Sequence, residues 1–165
     1  MYVYLYIKQK VFSLKDKFYV TDENDNQKYY IESEFFKIPK TLHLFNADGR
    51  EIAVISRIMF KLLPRFKIER DGREEIQIAQ KFSFFKPKYV VEGTNWTVEG
   101  NFLSHDYMIK DGTKIIASIH KKWMAWGDSF ELSIDDKSDI ELALAVIITI
   151  DYVMDLQQSS SYSAN

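Results

Sequence analysis

Ile140-Glu141-Leu142-Ala143-Leu144-Ala145-Val146-Ile147-Ile148-Thr149-Ile150-Asp151-Tyr152-Val153-Met154-Asp155-Leu156 is the stretch whose reading decides the fold. Between Leu142 and Ile150 its only polar member is Thr149. At about 100° per residue these side chains surround a whole helix, and a helix apolar on every side is enclosed by protein or lies in lipid. The β-branched run Val146 to Ile150 would also suit a final buried strand. Length and the alanines Ala143 and Ala145 favour the helix. Ser138 followed three residues later by Glu141 reads as a capping box with Ser138 at N-cap. Glu141, Asp151 and Asp155 fall on one side near the ends, where the helix is expected to emerge into water. Asp151 and Asp155 oppose the negative end of the helix dipole and call for a lysine partner. Crossing a bilayer takes about 20 apolar residues, and this shorter run is flanked by acids, so it does not read as a transmembrane anchor. Ser159 to Asn165 reads as a disordered polar tail.

Upstream of this stretch the chain is written twice. Gln9-Lys10, Lys15, Lys17 and Phe18 return as Gln80-Lys81, Lys86, Lys88 and Tyr89 at an offset of 71. Phe35 answers to Phe102 at 67, and Asp48-Gly49 to Asp111-Gly112 at 63. Ala53, Ile55, Arg57, Phe66 and Ile68 meet Ala117, Ile119, Lys121, Phe130 and Leu132 at 64. The shrinking offset fits turns shortened in the second copy of one structural unit. The copies span about 6–73 and 77–136, with no Pro/Gly/Ser linker between them. They and the helix, 139–156, are expected to share one core in a single domain of residues 1–158.

Each copy reads as short antiparallel strands. Alternating or β-branched runs such as Tyr2 to Ile7, Leu42 to Phe45, Ile52 to Ile55 and Tyr107 to Ile109 are separated by an Asn/Asp-rich turn at Asp22 to Asn26 and by Asp48-Gly49, Asp71-Gly72 and Asp111-Gly112. Asp-Gly between apolar runs is a strong hairpin signal, because glycine accepts positive φ without a Cβ clash. At about 10 residues per strand and turn, ten to twelve strands follow. That number predicts a closed barrel or a curled sheet.

Composition narrows the function classes. The 46% hydrophobic and 15% aromatic content of the 165 residues excludes a disordered chain. A net charge of −2 argues against bulk capture of nucleic acid. The chain has no cysteine, which removes disulfides and thiolate metal sites and fits a reducing compartment. Met1 to Ile7 stops at Lys8, too short for a signal-peptide core, so a cytoplasmic location is expected. His43, His105 and His120 are scattered without metal-ligand spacing, and no phosphate-binding or nucleophile-elbow motif occurs. No cofactor, metal or catalytic residue is nominated, and the chain is not expected to be an enzyme.

Lys8-Gln9-Lys10-Val11-Phe12-Ser13-Leu14-Lys15-Asp16-Lys17-Phe18 resembles the opening of the LURP-one-related proteins, in their bacterial YxjI-like branch. The resemblance continues through Val98 to Phe102, Lys121-Lys122-Trp123 and Asp128 to Leu132, and ends around Leu144 to Ile148. That family is related to the tubby C-terminal domain and to phospholipid scramblases. The resemblance implies a mainly β, twelve-stranded antiparallel closed barrel, built from two repeats around a central hydrophobic C-terminal helix. It implies no enzymatic activity. Tubby domains bind phosphoinositides through basic side chains, but no tubby lipid signature is matched residue by residue here.

The repeated basic residues are the candidate site. Lys15, Lys17, Lys86 and Lys88 are expected to present a surface to anionic phospholipid or to a protein partner. Each clustered lysine near an anionic bilayer contributes roughly 1 kcal/mol. Phe12, Phe18, Phe84, Phe85 and Tyr89 stand beside them as candidates for insertion at the interface. The bland reading makes the lysines the solvated face of half-buried strands. Trp123 and Trp126 are expected at core or rim, and Tyr29-Tyr30 and Phe35-Phe36 as packing residues. The chain is therefore expected to be a non-enzymatic intracellular binding or scaffold module, peripheral at the membrane and without nucleic-acid partners. The alternatives are a membrane-anchored scramblase-like protein and an enzyme whose site is not visible in sequence.

Overall fold

The computed structural model describes residues 1–8, 17–34, 36–71, 74–125 and 127–163. Twelve strands run in chain order: β1 (Tyr2–Lys8), β2 (Lys17–Thr21), β3 (Gln27–Glu34), β4 (Thr41–Asn46), β5 (Glu51–Arg57), β6 (Arg65–Arg70), β7 (Glu74–Lys81), β8 (Lys88–Val91), β9 (Trp96–Asn101), β10 (Asp106–Asp111), β11 (Lys114–Met124) and β12 (Gly127–Asp135). Each pairs antiparallel with its sequence neighbours, and β1 closes the barrel on β12 from Tyr2↔Asp135 to Lys8↔Ser129. Closure leaves no sheet edge unpaired, which is how an all-β chain avoids edge-to-edge aggregation.

The repeat is a shift of six strands. Ala53, Ile55, Phe66 and Ile68 on β5 and β6 point inward, and so do Ala117, Ile119, Phe130 and Leu132 on β11 and β12; all are at most 3% exposed. The Asp48-Gly49 turn joins β4 to β5 and its copy Asp111-Gly112 joins β10 to β11; both glycines take positive φ, 82° and 58°. The Asp71-Gly72 turn is only partly seen, since Gly72 lies outside the described residues, as do Gln9, Lys10 and Phe35.

Helix α1 (Ile140–Ser163) fills the barrel. Every residue from Leu142 to Met154 is buried. Inward side chains such as Ile7, Ile31, Leu44, Ile55, Ile78 and Ile109 close around it with at most 1% exposure. Removing an aliphatic side chain of this size from water contributes about 1.5–3 kcal/mol, so the helix and the wall stabilise each other. Polar ties complete the fit. The Tyr107 hydroxyl donates to the Ile147 carbonyl at 3.2 Å, Tyr152 to the Lys40 carbonyl at 2.8 Å, and Thr149 to the Ala145 carbonyl at 2.7 Å.

Three expectations are corrected. The N-cap is Asp139, not Ser138: Asp139 Oδ1 accepts from the Leu142 amide at 2.9 Å, while Ser138 Oγ donates back to Asp135. Asp139 also takes a two-pronged hydrogen bond from Arg70, which pins the helix start to β6. Asp151 does not emerge into water, because it is 5% exposed. The Ser-rich run does not leave the helix at Leu156; helical geometry continues to Ser163, with serine hydroxyls donating to carbonyls three or four residues back.

Candidate functional site

Lys17 opens β2 and Lys88 opens β8, at the rim where the helix leaves the barrel. Lys17 Nζ lies 2.8 Å from Oε1 of Glu32, its register partner on β3, and 4.2 Å from the centre of the Tyr30 ring. Lys88 Nζ lies 2.9 Å from Oε1 of Glu99 on β9, and Lys110 approaches the same carboxylate at 3.6 Å. The hydrogen bond that Lys17 donates to Glu32 raises the Lys17 pKa, and the hydrogen bond from Lys88 lowers that of Glu99. Glu32 and Glu99 are 67 residues apart, the offset already carried by Phe35 and Phe102. The repeat thus copies an ion pair and not merely a cation, and that offset is the signal that would have revealed it.

β2 and β8 lie six strands apart on opposite sides of the barrel. Lys17 and Lys88 therefore do not share one lateral face. Lys86 stands exposed on the β7–β8 connection beside a shallow groove of about 370 Å³ bordered by Pro87, Lys88, Glu99, Met108 and Lys110. Lys15 lies outside the described residues, as do Phe12 and Trp126.

The flanking aromatics divide. Phe18 and Tyr89, candidates for insertion, are core residues at 2% and 1% exposure, because each alternates inward from the rim lysine before it. Phe84 and Phe85 are fully exposed. Phe36, expected to pack, is exposed as well, and Trp123 stands 76% exposed at the rim end of β11.

Connections of a closed antiparallel barrel alternate between its two ends, and the ends here differ in charge. At the helix-exit end, residues 36–40, 58–64, 82–87 and 102–105 carry Lys37, Lys40, Lys61 and Lys86 and no carboxylate. At the helix-entry end, the described connections carry Asp22, Glu23, Asp25, Asp48, Asp71, Glu92, Asp136 and Asp139 against Arg50 and Lys137. Much of this acidity is turn chemistry: Asp22 accepts from the Asn24 and Asn26 amides and the Asn26 side chain, which holds its pKa low.

The histidines occupy three unrelated places. His43 bridges Glu34 at 2.7 Å and Glu51 at 2.8 Å on the outer wall. His120 lies 3.1 Å from Glu131, whose carboxylate also accepts from the Tyr6 hydroxyl at 2.9 Å and from Lys122. Burial would raise the Glu131 pKa, but Lys122 and Tyr6 hold it below the usual range; burial and Glu131 together push Tyr6 up to about 12. His105 faces Asp151 of the helix. Among the described residues no group of three histidines and carboxylates could hold a metal ion, and no helix is long and apolar enough to cross a membrane. The segment weighed as a scramblase-like anchor is the core of the barrel.

The family model described as LURP-one-related matches residues 3–151. The chain is 33% identical over 150 residues to a protein of Bacillus subtilis (strain 168) named "Uncharacterized protein YxjI", an alignment covering 91% of this chain and 93% of that one. It is also similar to an X-ray structure of an Arabidopsis thaliana protein, with a TM-score of 0.65 and 17% identity over 92% of this chain and 91% of the other. That second likeness shows the fold alone.

Proposed function

We propose that this chain, which belongs to the LURP-one-related family, is a non-enzymatic intracellular module that binds anionic phospholipid with one end of its barrel. The observation that carries the reading is the division of charge between the two ends: lysines without carboxylates on the described helix-exit connections, carboxylates in excess on the others. An anionic bilayer attracts the first and repels the second, so charge alone orients the approach. Lys61 and Lys86 each add roughly 1 kcal/mol near such a surface. Lys17, Lys37 and Lys88 add less, since Glu32, Glu34 and Glu99 offset them.

The interior supports a binding role over catalysis. A helix buried along 142–154 occupies the space in which a barrel enzyme would place converging titratable groups. The test is vesicle flotation with phosphatidylcholine alone and with phosphatidylglycerol or a phosphoinositide added. Flotation is expected only with the anionic vesicles, falling with added salt and in a K61E/K86E double variant. Equal behaviour with neutral and anionic vesicles would overturn the reading.

A further inference from the structure

Three successive connections at the helix-exit end share one pattern. They read Phe36-Lys37-Ile38-Pro39, Phe60-Lys61-Leu62-Leu63-Pro64 and Phe85-Lys86-Pro87. Phe36 is 104% exposed, Phe60 100%, Phe85 96%, and Ile38 and Leu62 89% and 92%. Exposure near 100% means that the folded chain gives these side chains almost no contact. The described connections at the opposite end expose no large apolar side chain. Phe60 takes φ 60°, a left-handed conformation that a bulky residue adopts at a cost, and packing within the protein does little to offset it.

Resting on the anionic-lipid reading above, we infer that these loops form a membrane-inserting crown, which seats the barrel end-on in an anionic bilayer. The phenylalanines and aliphatic residues enter below the headgroups while Lys61 and Lys86 meet phosphates; Lys37 is shared with Glu34 at 3.3 Å. Phenylalanine beside lysine is what an interfacial segment needs: apolar area for the acyl boundary and a cation for the headgroup layer. The exposed side chains project separately from the tips of three loops and do not form a packed face. A protein interface has a close-packed core, whereas a fluid bilayer accepts separated anchors without matching their shape. A proline stands at the end of two of these loops and one residue short of it in the third, restricting their freedom before binding and so reducing what insertion must order. The helix leaves the barrel on this side, and its last turns, residues 157–163, carry only Gln, Ser and Tyr, with no charge to exclude them from a headgroup layer.

The test uses the full chain, vesicles of phosphatidylcholine with and without phosphatidylglycerol, and the pairs F60S/L62S and F84S/F85S. These side chains are solvent-exposed, so both variants should keep the wild-type circular dichroism and melting temperature. Wild type is expected to bind the phosphatidylglycerol vesicles with a blue shift in tryptophan emission, and each pair to bind about tenfold more weakly or worse. Wild-type binding unchanged in both pairs would overturn the crown and leave the charge-driven reading standing. Failure of wild type to bind either vesicle would overturn both. A dimer in sedimentation that both pairs convert to monomer, without vesicle binding, would assign the crown to a second copy of the chain.

Discussion

Asp151 Oδ1 lies 3.5 Å from His105 Nδ1, and the contact joins the central helix to the β9–β10 connection. The distance would suit an ion pair, but the surroundings favour neutral partners. Burial, reinforced by Asp155, pushes the Asp151 carboxyl well above the carboxylate range, and burial draws the His105 imidazole down. We take the pair as neutral imidazole against protonated carboxyl, because neither charge is solvated there.

A pH-dependent stability follows from that pair. The unfolded chain releases the Asp151 proton above about pH 4, and the folded chain keeps it. Its contribution is full below that pH and is lost as pH rises toward the raised folded pKa. His105 acts oppositely: its contribution is present above about pH 6.5 and lost as pH falls. Asp151→Asn cannot titrate, so its stability relative to wild type should rise with pH above 4, by up to about 1.4 kcal/mol per unit. Urea unfolding at mildly acidic and neutral pH measures the gap. An equal gap at both would mean that Asp151 is charged in the fold.

Gly100 is held by close approach. It pairs with Tyr107 across β9 and β10 at φ 144°, and a Cβ there would come within 2.5 Å of the Tyr107 Cα and 2.6 Å of the Asp106 carbonyl oxygen. Neither backbone atom can rotate away. Gly100→Ala should cost about 3 kcal/mol or more, beyond ordinary overpacking. Gly93→Ala, whose Cβ would meet nothing within 4 Å, should cost less. Thermal unfolding of the two would rank them, and equal losses would contradict the steric account.

Asp139 has two duties that substitution can separate. As N-cap it accepts from the Leu142 amide, and as an anion it binds Arg70. Asp139→Asn keeps a capping oxygen and should cost less than Asp139→Ala, for which about 1 kcal/mol is expected from the lost cap alone. Arg70→Gln should cost at least as much as the Asn variant, because Arg70 also lies 3.9 Å from Glu141. Denaturation midpoints would resolve the three, and a harmless Asp139→Ala would remove the cap from the account.

Leu144 tests whether the helix is the barrel's core. It is 0% exposed. Leu144→Ala should destabilise by about 2–5 kcal/mol through lost transfer energy and the cavity left behind. Ser160→Ala, on the exposed end of the same helix, should have no measurable effect on the unfolding midpoint. Similar losses at both positions would be incompatible with a helix buried only from Leu142 to Met154.

Strands bounded by Asp-Gly or Asn-rich turns were readable locally, because alternation and turn chemistry both operate within a few residues. β8, β9 and β12 are harder to read. β8 and β9 meet at Glu92-Gly93-Thr94 without an Asp-Gly signal, and β12 follows a run crowded with Lys121, Lys122, Trp123 and Trp126. Lys17 and Lys88 were visible in the repeat, but their pairing with Glu32 and Glu99 was marked only by the 67-residue offset of the two glutamates, since each partner sits 15 or 11 residues away on the next strand. Phe18 and Phe85 look alike in sequence, each beside a lysine. One alternates inward within a strand and the other stands on a loop.

The amino-acid order alone carried the duplication, the strand periodicity and the all-round apolar helix. These rest on interactions of near neighbours and on a length count. Closure decided the rest. Antiparallel alternation set which turns share an end, and pairing β1 with β12 curled that end into one lysine-bearing rim carrying Phe36, Phe60 and Phe85, away from the acidic turns. It also carried Asp151 out of water and against His105, 46 residues earlier in the chain. Long-range contacts of this kind are set by where the strands meet around the helix, which no local pattern of side chains encodes.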